Sequence, residues 1–312
     1  MKILKPKFWQ SNKISFFAII LFPFTFLFSF ALLIKRKLSI SNKFKIPIIC
    51  VGNIFVGGTG KTPLSIEIAK SMRGKKKSVI IKKFYKNHAD EHNLIKHHSN
   101  LILGVNRKRA VEQAEELNYD LAILDDGFQD YSLKKDLNIL CFNSNQLIGN
   151  GFTLPSGPLR ENLNSVKRAE IIIINGDKNE KFERKLLKVS KNIKIFYTKY
   201  IPVDLDKLEN KKILAFAGIG NPENFFDLLV KNGIEVEKNL TFPDHYNYKK
   251  SEIQKIIDYA KDKDLKALTT EKDYYRLKEL GFSNVEYLKV KLKIEKEDEF
   301  FNEIFKYVWL KL

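Results

Sequence analysis

Residues 51–70, VGNIFVGGTGKTPLSIEIAK, join a β-branched run to a periodic apolar segment through a glycine-rich loop. The apolar run over residues 46–51 is continuous, which is typical of a parallel strand buried on both faces. A helix is predicted over residues 63–72, with a proline in its first turn. Strand, glycine loop and helix in this order form the context of a phosphate-binding loop. We therefore expect an α/β fold with a mainly parallel sheet.

The loop supplies groups suited to a nucleotide phosphate. Its glycines allow backbone N–H groups to face an anion, and the following helix adds its N-terminal dipole. Lys61 would reach the β- and γ-phosphates, and the Thr62 hydroxyl would hold Mg²⁺. Phe55 stands where the common G-x-x-x-x-G-K-[ST] pattern has its first glycine, so the first half of the loop is atypical. The predicted nucleotide-binding residues of the loop are Gly57, Gly58, Thr59, Gly60, Lys61 and Thr62.

A second predicted strand ends in two carboxylates, in the segment NYDLAILDDGFQDY over residues 118–131. In phosphate-loop enzymes an aspartate at such a strand end neighbours Mg²⁺ or its water shell. Adjacent strand residues point to opposite faces, so Asp125 and Asp126 are expected to have different roles. A solvated turn is the alternative, since DDG is also good turn chemistry.

A third strand is predicted over residues 78–81. It precedes a loop that carries His88, Asp90, Glu91 and His92. Metal binding by this group is one interpretation. A single aspartate that acts as a base is the simpler one.

The charge is strongly positive but unevenly distributed. The chain has 312 residues, with 55 Lys+Arg against 37 Asp+Glu and a net charge of +18. No acidic residue precedes Glu67, and residues 1–45 contain nine basic ones. The remaining lysine excess is spread along the chain, and no recognised RNA- or DNA-binding motif accompanies it. A membrane-tethered nucleic-acid-binding protein is therefore the weaker interpretation.

An uncharged apolar run covers residues 14–34, between Lys13 and the basic triplet at 35–37. Its length suits a bilayer-spanning helix. Pro23 leaves open a kinked helix that lies in one leaflet, and a buried core helix is a further alternative. The run is longer than a signal-peptide core and no small-residue cleavage site follows it. We therefore predict that this run inserts into a membrane.

The two cysteines, Cys50 and Cys141, match no metal or redox spacing. They indicate a reduced, cytosolic setting for the folded part of the chain.

Several blocks in fixed order carry a resemblance. They are VGNIFVGGTGKTP, ADEHNLI, LDDGFQ, GNGFTLPSGPLRE, FAGIGNPENFF, FPDHYNY and LTTEKD. This succession resembles the tetraacyldisaccharide 4′-kinase family, the lipid A 4′-kinases. GGTGKTP also occurs in other nucleotide-binding proteins, whereas LDDGFQ followed by GPLRE is much more specific.

The resemblance implies transfer of the γ-phosphoryl of ATP, with Mg²⁺, to the 4′-hydroxyl of a tetraacyl glucosamine disaccharide 1-phosphate. It places the catalytic domains on the cytoplasmic face of the bacterial inner membrane. The implied partners are this lipid substrate and inner-membrane lipids, with no nucleic acid and no obligatory protein partner. It also implies a phosphate-loop core and a smaller α/β domain, with the active site in the cleft between them.

Site roles follow from the resemblance residue by residue. Asp90, oriented with His245, would activate the acceptor hydroxyl, and Lys61 would act on the transferred phosphate. Gln129 and Arg160 would contact the nucleotide, since a guanidinium suits phosphate oxygens. The implied metal ligands are Thr62, Asp125, Asp126 and Glu161.

The chain departs from the family pattern at three places. KKFYK at residues 82–86 replaces the family's SRGYG, DDGFQD replaces DDGFQH, and ADEH replaces GDEP. Contacts at the altered glycine segment are therefore in question. Because the loop lysine, both strand-end aspartates, Asp90 and His245 are retained, we expect an active kinase.

We predict four regions from composition and pattern. They are a membrane-associated helix with basic flanks at 1–45, a phosphate-loop core at 46–205, a smaller α/β domain at 206–296, and a C-terminal helix at 297–312. A membrane-anchored regulatory ATPase is the rival function, because GGTGKT alone is compatible with it. That rival does not account for Asp90, GPLRE or DHY.

Overall fold

The computed structural model describes residues 6–10, 15–85, 88–208, 211–244 and 246–309. The chain divides into two compact units. Unit 1 comprises Met1–Lys83, Ser99–Lys199 and Lys293–Leu312, and unit 2 comprises Phe84–His98 and Tyr200–Leu292. The segment Phe84–His98 belongs to unit 2, although it lies within the range 46–205 that was predicted to form the core.

The strands and helices are numbered in chain order. The strands of the described residues are β1 Ile48–Gly52, β2 Ser78–Lys83, β3 Leu101–Gly104, β4 Leu121–Asp125, β5 Leu137–Asn143, β6 Ile171–Asn175, β7 Lys194–Val203, β8 Ile213–Ala217, β9 Val236–Thr241, β10 Lys266–Thr270 and β11 Glu286–Ile294. The helices are α1 Phe16–Leu38, α2 Lys61–Ser71, α3 Ala89–His98, α4 Arg107–Glu116, α5 Glu180–Val189, α6 Glu223–Lys231, α7 Lys250–Asp262, α8 Glu271–Glu279 and α9 Glu297–Trp309.

The sheet of unit 1 is parallel, in the order β3-β2-β4-β1-β5-β6-β7. Every residue of β1, β4 and β6 is buried, as their continuous apolar sequences predicted. The predicted α/β class with a mainly parallel sheet is confirmed. Because β1 lies between β4 and β5, the loop after β1 and the aspartates that end β4 emerge at the same edge.

Helix α9 belongs to unit 1. The ring of Phe300 is fully buried and meets the ring of Phe196 edge to face, with centroids 5.3 Å apart. Lys75 and Lys76 lie over the rings of Phe305 and Trp309. The C-terminal helix therefore packs on the core of unit 1.

Unit 2 has a parallel sheet in the order β11-β10-β8-β9. Its strand β9 alternates between half-buried and exposed residues, as expected at an edge. Residues 88–92 were expected to form a loop, and this expectation is wrong for residues 89–92. They begin helix α3, whose Ile95 is fully buried and fixes one face of the helix in the unit.

Helix α1 runs unbroken from Phe16 to Leu38, through Pro23. Ala18 and Thr25 are buried, and the half-buried positions 21, 28, 29 and 32 continue the same stripe along the helix. Up to position 34 the remaining surface of the helix is apolar and exposed, with phenylalanines at positions 16, 17, 22, 24, 26 and 30. Among the described residues, α1 is the one helix that is long and apolar enough to cross a membrane. One side of this helix also packs on unit 1.

Candidate active site

The loop between β1 and α2 is held from within by Asn53. This side chain is fully buried, and its Nδ2 donates to the carbonyls of Phe55 at 2.6 Å and Gly57 at 3.2 Å. It also lies 3.1 Å from the Thr59 hydroxyl. A single amide therefore contacts three residues of the loop. Sequence reasoning missed this residue, although an asparagine directly after a buried strand is a signal for such a role.

Phe55 explains why the first half of the loop is atypical. Its side chain is 1% exposed and lies in the hydrophobic core of unit 1. Its backbone forms an antiparallel bridge with Leu159, flanked by Val56 N–H to Pro158 O at 2.9 Å and Arg160 N–H to Ile54 O at 2.7 Å. The loop therefore begins as a short pairing with the GPLRE segment. This pairing brings Arg160 to the glycine loop.

The second half of the loop is open and glycine-rich. Gly57 and Gly60 adopt φ angles of 143° and 87°, which side-chain-bearing residues rarely take. Gly60 is the N-cap of α2, so the first N–H groups of the helix point into the loop. This arrangement is suited to an anion.

Lys61 and Arg160 converge on Asp126. The Lys61 ammonium lies 3.6 Å from Asp126 Oδ1, and Arg160 Nη1 donates to Oδ1 and Oδ2 at 2.9 and 3.0 Å. Asp126 has a φ of 61°, a left-handed conformation that aspartate tolerates better than most residues. Burial acts to raise the pKa of Asp126, but Lys61 and Arg160 outweigh it and hold the pKa well below its ordinary value.

Asp125 has a different environment from its neighbour, as the alternation of strand residues predicted. It is fully buried, and its Oδ2 accepts from the Thr62 hydroxyl at 2.8 Å and from the ammonium of Lys82. Lys82 lies on β2, in register with Asp125, and is 5% exposed. Its Nζ also lies 3.5 Å from Thr62 Oγ1. Lys82 was noted only as part of the altered KKFYK segment, and sequence reasoning gave it no role.

Gln129 and Glu161 complete the polar cluster of unit 1. Gln129 Nε2 donates to Asn53 O at 3.0 Å and Glu161 Oε1 at 3.1 Å, and its Oε1 lies 3.4 Å from Arg160 Nη1. Glu161 also accepts from Tyr131 and pairs with Arg168. The loop lysine, Arg160, Gln129, Glu161 and the two strand-end aspartates, Asp125 and Asp126, are therefore brought together.

The residues predicted to hold Mg²⁺ fit the ion only in part. A threonine hydroxyl and carboxylates are the oxygen ligands that Mg²⁺ prefers. However, the three carboxylates are already paired with protein cations, namely Asp125 with Lys82, Asp126 with Lys61 and Arg160, and Glu161 with Arg168. Among the described residues no group of three or more His, Cys, Asp or Glu is placed to hold a metal. The Asp125 Oδ1 atom is buried without a hydrogen-bond partner in the described part of the chain.

Asp90 lies in unit 2, in the first turn of α3, and is 2% exposed. Its Oδ2 accepts from Arg276 Nη2 at 2.6 Å and lies 3.3 Å from the Lys272 ammonium. Both cations come from α8, which begins within the LTTEKD block at residues 268–273, so Lys272 belongs to that block. Sequence reasoning missed Lys272 and Arg276, although their spacing of four places them on one face of a helix.

The two cations are themselves held in place. Arg276 Nη1 donates to Asp273 Oδ1 at 2.6 Å and to Gly218 O at 2.9 Å. The Lys272 ammonium lies 3.0 Å from Glu91 Oε1 and 3.5 Å from Asp244 Oδ1. Burial acts to lower the pKa of each cation, but the surrounding carboxylates outweigh it and raise both pKa values. His245, the predicted partner of Asp90, lies outside the described residues.

Known proteins match nearly the whole chain. A profile of the family described as tetraacyldisaccharide-1-P 4′-kinase matches residues 17–308. The chain is 41% identical to a tetraacyldisaccharide 4′-kinase of Pelagibacter ubique and 33% identical to one of Rickettsia felis, with 98% of each protein covered in both cases. It also resembles a solved structure of LpxK from Aquifex aeolicus in complex with ATP, with a TM-score of 0.74, 27% identity, and coverage of 93% of this chain and 99% of the other.

Proposed function

The chain belongs to the tetraacyldisaccharide 4′-kinase family, and from this premise we propose that it transfers the γ-phosphoryl of ATP to the 4′-hydroxyl of a tetraacyl glucosamine disaccharide 1-phosphate. The product is the 1,4′-bisphosphate, a lipid A precursor. The observation that carries the proposal is the convergence of Lys61 and Arg160 beside the glycine loop and the N-terminus of α2. This is a site built for an anion, in a kinase family.

Unit 1 supplies the nucleotide site in this proposal. Backbone N–H groups of Gly57, Gly58, Thr59 and Gly60 surround the phosphates. Lys61 and Arg160, which pair with Asp126, then also contact the phosphate oxygens. Negative charge develops on these oxygens during transfer, and the two cations stabilise it. Gln129 keeps Arg160 oriented. When bound together with the nucleotide, Mg²⁺ would supply positive charge that neutralises the phosphate oxygens.

The acceptor hydroxyl needs a base, because a sugar hydroxyl is a poor nucleophile at neutral pH. We assign this role to Asp90, with His245 as its partner, as the family motif implies. Arg276 and Lys272 fix the Asp90 carboxylate in one orientation. A fixed carboxylate loses little freedom when the hydroxyl arrives, which favours the proton transfer.

Helix α1 attaches the protein to a membrane in this proposal. Its exposed phenylalanines match a hydrocarbon environment, and the basic residues at its C-terminal end match anionic headgroups. We infer location at the cytoplasmic face of the bacterial inner membrane, where both ATP and an acylated disaccharide are accessible. The lipid substrate and membrane lipids are then the partners, with no nucleic acid and no obligatory protein partner.

The proposal is tested with the full chain in mild detergent, given ATP, Mg²⁺ and the tetraacyl disaccharide 1-phosphate. Mass spectrometry should detect the gain of one phosphoryl group by the lipid. Lys61→Ala and Asp90→Asn should each lower the rate by about a hundredfold or more. Lys194→Ser, which removes an exposed lysine from β7, should leave the rate unchanged. ATP binding without any lipid product would contradict the proposed acceptor and favour the regulatory ATPase.

A further inference from the structure

Strand β2 brings a buried lysine to the strand-end aspartate of β4. Lys82 and Asp125 are register partners in neighbouring parallel strands, so their side chains leave the sheet on the same face. Lys82 is 5% exposed and Asp125 is fully buried. A buried lysine is costly unless it is paired, and here its partner is a carboxylate that is also buried.

The same carboxylate oxygen serves two donors. Asp125 Oδ2 accepts from the Lys82 ammonium and from the Thr62 hydroxyl, which is 2.8 Å away. Threonine and aspartate at these two positions, one in the first turn of α2 and one at the end of β4, are the pair that holds Mg²⁺ in phosphate-loop NTPases. In this chain the hydroxyl is directed at the carboxylate, and a protein cation already neutralises the aspartate.

We propose that Lys82 is a built-in cation of the nucleotide site. Its ammonium pairs with the Asp125 carboxylate and so prevents Asp125 from binding a divalent ion directly. The divalent ion of the reaction is then held through the nucleotide. This inference rests on the proposed use of ATP by unit 1. Lys82 acts through Asp125 and Thr62, so it is a positioning residue.

The charges of the site agree with this assignment. The cations Lys61, Lys82, Arg160 and Arg168 face the anions Asp125, Asp126 and Glu161. Four positive charges against three negative ones leave the site positive before any divalent ion is present. A site of this sign attracts a nucleotide phosphate without a metal bridge to the protein.

The substitution Lys82→Ser gives the sharpest test, because serine is the residue of the SRGYG pattern at this position. Removing the ammonium leaves Asp125 buried and unpaired beside the Thr62 hydroxyl, which creates a direct site for a divalent ion. Mn²⁺ binding to the full chain without nucleotide is followed by electron paramagnetic resonance. Wild type and the matched control Lys194→Ser should bind Mn²⁺ no tighter than about 1 mM.

Lys82→Ser should bind one Mn²⁺ at least about tenfold more tightly than wild type. The double variant Lys82→Ser with Asp125→Asn should lose this gain. Tight Mn²⁺ binding by wild type that Asp125→Asn abolishes would overturn the proposal. Equal binding by wild type and Lys82→Ser would also overturn it.

Two further measurements keep the test decisive if Lys82→Ser folds poorly. Its thermal midpoint should be low in EDTA and should recover in millimolar Mn²⁺, while that of wild type should not respond. If the variant cannot be purified, wild type and Asp125→Asn should bind Mn²⁺ equally weakly, and weaker binding by Asp125→Asn contradicts the proposal. These readouts need no lipid, so failure of the lipid kinase assay and failure of this inference are distinguished.

Discussion

Arg160 Nη1 lies 2.9 Å from Oδ1 and 3.0 Å from Oδ2 of Asp126, so one guanidinium nitrogen contacts both carboxylate oxygens. This contact joins the GPLRE segment to the end of β4. It exists because the backbone of residues 54–56 pairs with that of residues 158–160. Arg160 is thus placed at the glycine loop by pairing of the loop itself, and it is available to a phosphate that enters there.

The Arg160 guanidinium should matter for its shape as well as its charge. Arg160→Lys keeps the charge but cannot contact Asp126 and Gln129 together from a planar fork. We expect kcat/KM for ATP to fall by about tenfold or more, as loss of a charge-assisted hydrogen bond predicts. Steady-state kinetics check this. Unchanged kinetics in Arg160→Lys would show that the guanidinium does not contact the nucleotide.

Asp126 should contribute stability that depends on pH. Its folded-state pKa is depressed, so the contribution is complete above the unfolded pKa of about 3.9 and is lost as pH falls below it. Asp126→Asn retains the left-handed backbone but removes this contribution. The gap in thermal midpoint between wild type and Asp126→Asn should be constant above about pH 5 and shrink below about pH 4. A gap that grows with acid would contradict the charge pairing with Lys61 and Arg160.

Asn53 should control the shape of the nucleotide loop. Asn53→Ala removes donors to two loop carbonyls and to Thr59, at a cost of about 1–3 kcal/mol for buried groups left unpaired. We expect weaker ATP binding, measured by calorimetry, together with a lower thermal midpoint. Asn232→Ala, on an exposed C-cap of unit 2, is the matched control and should leave ATP binding unchanged. Normal ATP affinity in Asn53→Ala would mean that the loop holds its shape without this amide.

Thr25 should fix the register of α1 on unit 1. Its hydroxyl lies 2.7 Å from Ser156 Oγ and accepts from the Ser156 N–H at 3.0 Å, all in a buried contact. Thr25→Val keeps the shape of the side chain but leaves these groups unpaired, which should destabilise the protein by about 1–3 kcal/mol. Chemical denaturation in detergent measures this. Thr25→Ser retains the hydroxyl and should lose much less, whereas a loss in Thr25→Ser as large as that in Thr25→Val would contradict the dominant role of the hydroxyl.

The phosphate-loop context could be predicted because its signals are local. β1, the glycine loop and α2 follow one another within residues 48–71, and glycine and proline mark their boundaries. The two strand-end aspartates were found for the same reason. Their different surroundings also followed from strand alternation, since Asp125 is buried against Lys82 while Asp126 faces Arg160.

The site residues that the sequence did not reveal depend on pairings between distant segments. Lys82 reaches Asp125 only because β2 and β4 are neighbours in register, and no local pattern shows this. Arg276 reaches Asp90 across 186 positions of sequence. Phe55 made the first half of the loop atypical, and the structure shows that it is a core residue. Its burial could not be predicted from a motif that has glycine at this position.

Phosphoryl transfer to the 4′-hydroxyl of the lipid is tested most directly by measuring where the γ-phosphoryl of ATP goes. The chain is incubated with Mg²⁺, γ-labelled ATP and the tetraacyl disaccharide 1-phosphate, and the lipid is analysed by tandem mass spectrometry. We expect label on the 4′ position of the distal glucosamine for wild type, and none for Lys61→Ala. Label released as inorganic phosphate, with the lipid unchanged, would contradict it.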